Sequence, residues 1–383
     1  MAKRRANGEN TIYFDKTKNC YKGQICIGYY KNGRVKRKSV FGKTKDEVRQ
    51  KLKQIDFEIM NDDYVEPSNV TIFQLANQIF EEKYQYNEIK DATYHRNLET
   101  LKRLKDIYDI PIQKITEQDI KNFLISQLNY SQSTINKVYI VLNMVFREAE
   151  KSKIIKENPM TNIRKPKSKK QNESVRALTV EEQSKLMKVL QTEDIKYSMQ
   201  MLLSLLTGMR MGEINALTTR DINLSLGTIY VSKTISRGPK GEAYIDTPKT
   251  QAGNRTIPMT DDVKALLQDY LRFVDSAVLF TTSKGGLITT NQVNMELSRL
   301  LKKHNIIDEF VPGKVSCHSL RHTYATRCIE SGMSAKILQK LLGHTDIRVT
   351  MNTYCDAFDQ FQSENIEKLN DYMQNLGLTL KEI

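Results

Sequence analysis

The chain has 383 residues, enough for two or three domains, and its 39% hydrophobic and 27% charged residues mark a globular protein, not a disordered one. Its longest apolar runs, such as Met201 to Leu206, are far too short to cross a bilayer. The net charge is +14, and residues 1–60 hold 16 Lys/Arg against 6 Asp/Glu, so most of the excess sits in the first sixth of the chain. A second basic run, Arg164-Lys165-Pro166-Lys167-Ser168-Lys169-Lys170, stands mid-chain. Such clusters neutralise phosphates and release counterions, although charge alone fits a solvated surface as well. The cysteine count, five, is odd and no C-x-x-C pair appears, which argues against a disulfide framework and a cysteine zinc site. A reducing cytoplasm is the simplest compartment, and the polar start Met1-Ala2-Lys3-Arg4-Arg5 lacks the apolar stretch of a secretory signal.

In chain order, Ile12 to Phe14, Gly23 to Tyr30 and Val35 to Phe41 are rich in aromatic and β-branched residues and predict three strands. Lys31-Asn32-Gly33 supplies a hairpin turn between two of them. Val48, Leu52, Ile55 and Ile59 then recur at helical spacing. This predicts a sheet with one face on a helix and the other showing Lys and Arg among Tyr, able to enter a DNA groove. After a linker at 66–71, Thr71 with Gln74 forms a capping box, and Ile72, Leu75, Ala76, Ile79 and Phe80 make an apolar stripe. Further helices are expected over Ala92 to Tyr108, from Thr116 (capped with Asp119), and through Ile135 to Phe146. Together these four make a small bundle. The organisation predicted is an N-terminal module at 1–65, a helical domain at 70–157, a basic linker at 158–177, and a mainly helical domain at 178–383. The last opens on a Thr179–Glu182 capping box and holds strands at Thr228 to Lys233, Ala243 to Thr247 and Arg255 to Met259. Turns are expected at Gly238 to Gly241 and at Gln251 to Asn254. Residues 356–376 read as a tail helix with Phe358, Phe361, Ile366, Leu369, Met373 and Leu376 on one stripe.

Three of the five histidines, His318, His322 and His344, fall within 27 residues. Around them lie Cys317-His318-Ser319-Leu320-Arg321-His322, then Leu342-Gly343-His344, then Tyr354. Upstream stand Thr207-Gly208-Met209-Arg210-Met211-Gly212-Glu213 and Thr247-Pro248-Lys249-Thr250. His318 and His322 have the spacing of a zinc-binding helix, but Ser319 replaces the Glu that such a site uses as base. The glycines near Arg210 are not followed by Lys-Ser/Thr, so they form no nucleotide P-loop. Each residue also has a plain structural reading. Arg210 could be a surface residue paired with Glu213, Lys249, Lys233 and Lys240 could be simple phosphate contacts, and a tyrosine near the C-terminus, one of 18, could be packing or surface, with Tyr324 and Tyr372 as the reserve candidates for the nucleophile.

Arg in a TGxRxGE turn, Lys on a hairpin, HxxR, LGH and Tyr ten residues later, in that order over the last 180 residues or so, closely resemble the tyrosine recombinase family, the integrases of phages and conjugative transposons. The resemblance implies a multidomain α+β fold, mainly α with small β-sheets. An arm-binding module, a SAM-like core-binding bundle and a mixed, mainly helical catalytic domain would follow one another. It implies that Tyr354 is the nucleophile and Lys249 the general acid. Arg210, Arg321 and His318 would stabilise the phosphate, with Glu213 in support of Arg210. His344 would bond the phosphate or help orient and activate the tyrosine. It implies no metal and no cofactor, double-stranded DNA with core and arm sites as partner, and a homo-tetramer on that DNA in a bacterial, nucleoid-associated setting away from membranes. An excisionase or host DNA-bending protein would set direction, and the tail helix would either pack on its own catalytic domain or dock into a neighbouring subunit and couple the two. Two other outcomes use the same residues: relaxation of supercoils as in type IB topoisomerases, or a catalytically silent DNA-binding regulator. The separate basic N-terminal module argues for site recognition, and no residue needed for catalysis is missing.

Overall fold

The computed structural model describes residues 11–354 except Lys31, Asp62, Asn172, 239–240 and 248–252, together with 366, 368–376 and 378. The chain divides into two compact units, Met1–Gln171 and Asn172–Ile383. Its class is mainly helical α+β. No helix among the described residues is long and apolar enough to cross a membrane.

In the first unit, β1 (Thr11–Asp15), β2 (Cys20–Tyr29) and β3 (Val35–Gly42) form an antiparallel sheet in that order. Helix α1 (Lys45–Met60), N-capped by the Thr44 hydroxyl, buries Val48, Leu52 and Ile55 against it. Alternation along the strands divides the two faces. Ile12, Gly23 and Val40 stand in register on the helix side. A Cβ on Gly23 would lie 2.6 Å from Val48 and 2.7 Å from Leu52, so glycine is what lets α1 approach this closely. Tyr13, Lys22 and Phe41 stand in register on the opposite side. There the Lys22 ammonium is 5.8 Å from both ring centres, and Lys18 is 4.5 Å from that of Phe41. The outer face is therefore the basic and aromatic surface that the strand pattern predicts.

Helices α2 (Ile72–Gln85), α3 (Asp91–Lys102), α4 (Glu117–Ser126) and α5 (Gln132–Lys151) pack around Phe80, Leu101, Ile120, Leu142 and Phe146. Thr71 with Gln74 and Thr116 with Asp119 form reciprocal caps. The helix expected over Ala92 to Tyr108 ends instead at Lys102. The reason is tertiary. The Phe73 N–H donates to the Tyr108 carbonyl (3.0 Å) and the Ile112 N–H to that of Val70 (2.9 Å), so this stretch closes the start of α2. The first N–H groups of a helix have no partner within it. Met160 and Ile163, in the stretch read as basic linker, are buried with the bundle core.

The second unit opens with α6 (Val180–Thr192), capped by Thr179 and Glu182, then α7 (Ser198–Thr207) and α8 (Met211–Ile214). Strands β4 (Ile222–Asn223), β5 (Thr228–Val231) and β8 (Arg255–Pro258) form one antiparallel sheet, and β6 (Thr234–Arg237) with β7 (Ala243–Asp246) a hairpin. Then come α9 (Asp261–Leu271), α10 (Thr290–Lys303), α11 (Cys317–Glu330), α12 (Ala335–Leu342) and α13 (Ile347–Thr353). Residues 368–375 are helical, with Leu369, Tyr372 and Leu376 more than half exposed. Phe358 and Phe361 of the expected tail stripe, and part of each turn expected at Gly238 to Gly241 and Gln251 to Asn254, lie outside the described residues.

Candidate active site

The turn that carries Arg210 is built by glycine. Gly208 ends α7 at φ 65°, a conformation L side chains avoid, and a Cβ there would lie 2.3 Å from the Tyr324 ring. Arg210 follows as the N-cap of α8. Its backbone N–H and its Nη1 both donate to the Glu213 carboxylate, at 2.9 and 2.8 Å. The rest of the guanidinium is open, the side chain being 41% exposed. Glu213 is buried and also accepts a two-pronged bond from Arg255, at 3.2 and 2.7 Å. Burial would raise its pKa, but the Arg255 hydrogen bonds and the charges of Arg255 and Arg210 hold it at about 2.

Arg321 projects from α11 and is only 2% exposed. Its Nη1 donates to the Gly208 carbonyl (2.9 Å), and its Nη2 to the Leu342 carbonyl (2.7 Å) and His344 Nε2 (2.9 Å). Since guanidinium only donates, His344 Nε2 must be the unprotonated nitrogen. Nδ1–H then donates to Thr350 Oγ1 at 2.9 Å. Burial, with Arg210 beside it, pushes Arg321 down to about 9, so it is still charged at neutral pH.

Tyr354 ends α13, its N–H on the Thr350 carbonyl at 3.1 Å. Its ring packs with Ala325, Ile329, Leu338 and Leu342 and meets His322 edge-on at 5.4 Å. His322 in turn meets His318 edge-on at 4.6 Å. Burial raises the Tyr354 phenol to about 12, although Arg321 and Arg210 pull it back. A cavity of about 670 Å³ is lined in part by His322, Thr326, Thr353 and Tyr354.

Of the residues singled out in the sequence, Arg210, His318, Arg321, His344 and Tyr354 are thus brought together within one unit. Lys249 lies outside the described residues. Lys233 is occupied elsewhere, its ammonium 2.7 Å from Asp221. Two contributors were missed. Arg255 braces Glu213, and Thr350 accepts from the His344 Nδ1–H once Arg321 has fixed the tautomer. The signal for Arg255 was an arginine on the same strand face as Ile257, where alternation predicts burial.

The imidazoles have a consequence for stability. Burial, then neighbouring positive charge, lowers His322 and His344 from 6.5 to about 4. The unfolded chain therefore takes up more protons than the fold between these values. The stability that neutral histidines contribute is complete above about pH 6.5 and is lost as pH falls toward about 4. Thermal unfolding followed by circular dichroism should show the midpoint falling across this window, and doing so less in His322→Phe. A midpoint flat between these limits would contradict the burial described here.

Residues 176–360 match the phage integrase family and residues 71–169 the phage integrase SAM-like domain. A XerC-like tyrosine recombinase of Caldanaerobacter subterraneus subsp. tengcongensis is 26% identical over 95% of this chain and 99% of its own. The transposase from transposon Tn916 of Enterococcus faecalis is 29% identical over 69% of this chain and 68% of its own. The Tn1549 transposon integrase, solved with transposon right end DNA, superimposes with a TM-score of 0.66 at 26% identity, over 78% of this chain and 99% of that one. Fold, motifs and relatives agree on an enzyme of the site-specific recombinase class, of the kind that mobile elements carry. The chain belongs to the phage integrase family, the tyrosine recombinases.

Proposed function

We propose that this recombinase integrates and excises its element by cutting and rejoining double-stranded DNA through a 3′-phosphotyrosine on Tyr354. The observation that carries this is the seat formed by Arg321 and His344, hydrogen-bonded to each other at 2.9 Å, with Tyr354 at the end of the next helix. In the reaction the Tyr354 oxygen attacks phosphorus, the new O–P bond forms, and the bond to the sugar 5′-oxygen breaks. Charge gathers on the non-bridging oxygens, where the guanidinium forks of Arg210 and Arg321 and a His318 hydrogen bond match it. A free tyrosine has a pKa of about 10, and burial raises this one further, so the resting phenol keeps its proton. The His344 Nε2 lone pair becomes free to accept that proton once Arg321 turns to phosphate. Lys249 is assigned the proton for the leaving 5′-oxygen. The phosphotyrosyl bond conserves the energy of the broken linkage, so the reverse attack rejoins the strand without ATP.

Two such exchanges pass through a four-way junction, which needs four subunits on two duplexes. An excisionase or a host DNA-bending protein would then set direction. The 1–65 module is assigned to arm sites, and residues 70–157 with 178–383 to the core site. The exposed apolar side chains at 369, 372 and 376 suit a tail that pairs with a neighbouring subunit. The direct test is a nicked suicide duplex made from the DNA at the ends of the element that carries the gene. A covalent adduct and strand transfer between duplexes are expected. Relaxation of supercoils without transfer would favour a topoisomerase, and binding with no adduct a silent regulator.

Deleting residues 1–65 should leave core-site binding and cleavage in place. The cluster of Ile25, Val48, Leu52 and Ile55 is separate from the bundle core. Integration on arm-containing DNA should fall. Gel-shift with a core duplex checks this, and loss of core binding would show that the domain boundary is misplaced.

A further inference from the structure

Arg210 and Arg255 share one buried carboxylate, that of Glu213, and they share it unequally. Glu213 is 4% exposed and Arg255 8%. Their two-pronged bond, at 3.2 and 2.7 Å, is the geometry in which guanidinium and carboxylate neutralise each other most fully. Arg255 cannot turn away, because its Nε donates to the Leu341 carbonyl at 2.7 Å and its Nη1 to that of Gly253 at 3.3 Å. Arg210 takes only one side-chain bond to the same carboxylate and points its other donors outward.

We propose that Arg255 is a positioning residue whose charge satisfies Glu213, so that the Arg210 guanidinium is left with its charge uncommitted for the scissile phosphate. This rests on the proposed function, in which Arg210 meets that phosphate. Without Arg255, the buried carboxylate has Arg210 as its sole fork partner. An unpaired charge in a low-dielectric site is costly enough to draw its neighbour in. Arg210 and Glu213 then cancel, and the site loses the positive charge that Arg210 presents to DNA. A second feature ties the residue to the rest of the site. The carbonyls of Leu341 and Leu342, at the end of α12, hold Arg255 and Arg321 respectively, immediately before Gly343 and His344.

The proposal makes the effect of Arg255 depend on the charge of Glu213, which a purely architectural role does not. The test is the single-turnover rate of adduct formation on the nicked end duplex, at saturating full-length protein. If the wild type forms no adduct, it is the functional reading that fails. Given a wild-type adduct, Arg255→Met should slow its formation by about tenfold or more, part of the loss seen when a transition-state donor is removed outright. Adding Glu213→Gln to Arg255→Met should restore much of that rate. A wild-type rate in Arg255→Met would overturn the proposal, as would a folded double variant no faster than Arg255→Met alone. Should Arg255→Met fail to fold, the double variant, which leaves no unpaired charge, is compared with Glu213→Gln. Equal rates support the proposal, and a further large loss on removing Arg255 overturns it.

Discussion

Tyr354→Phe is expected to bind the element's end DNA with nearly wild-type affinity and to form no covalent adduct. The substitution removes one oxygen and leaves the ring, which packs with Ala325, Ile329, Leu338 and Leu342 and keeps its edge contact with His322. No charge is lost at neutral pH, because burial holds the phenol protonated, at about 12. The DNA-facing electrostatics therefore stay as they were, and binding, which rests on phosphate neutralisation, should be unmoved. Denaturing gel analysis of the suicide duplex reads the adduct, and gel-shift reads the affinity. Tyr324 is a poor substitute, since it is packed against the Gly208 turn and burial raises its phenol well above the ordinary value. Tyr372 is exposed on the tail helix. An adduct in the Phe variant, mapped by peptide mass to either of these, would remove Tyr354 from its assigned role.

What the sequence made legible is what local chemistry determines. The capping boxes at Thr71, Thr116 and Thr179 each involve residues three apart, and all three form. The N-terminal sheet and its helix follow from period-two and period-3.6 patterns, and its basic outer face from the same alternation. The motif residues could be grouped because a known family shares their order, not because spacing places Arg210 beside Arg321, 111 positions later in the sequence. Where long-range contacts decide, the pattern misled or was silent. The apolar periodicity of Ala92 to Tyr108 continues past Lys102 because Leu104 and Ile107 are still buried, but the backbone leaves the helix to close the start of α2. Arg255 acts on residues 42 and 86 positions away. Thr350 looks like an ordinary helix residue until His344 is seen to donate to it.

Arg321→Lys should slow cleavage by about a hundredfold or more while leaving binding to the end duplex largely intact, the size of loss expected when one oriented transition-state donor is removed. Arg321 serves three acceptors from two nitrogens, on Gly208, Leu342 and His344. A lysine has a single ammonium on a flexible stem and cannot span the Gly208 and Leu342 carbonyls in one plane. It would also leave His344 Nε2 without its fixed donor, and the Thr350 hydroxyl, which can donate or accept, would not hold the tautomer alone. Because Arg321 is almost wholly buried, this variant should also unfold at a lower temperature. Arg210→Lys separates the two effects. Its side chain is 41% exposed and its backbone N–H still reaches Glu213, so thermal stability should change little. Cleavage should nonetheless fall on a similar scale, because the outward fork is what meets the phosphate. Single-turnover adduct rates beside thermal melts of the two proteins make the comparison. A folded variant of either kind that cleaves at the wild-type rate would reduce that arginine to a DNA-binding contact.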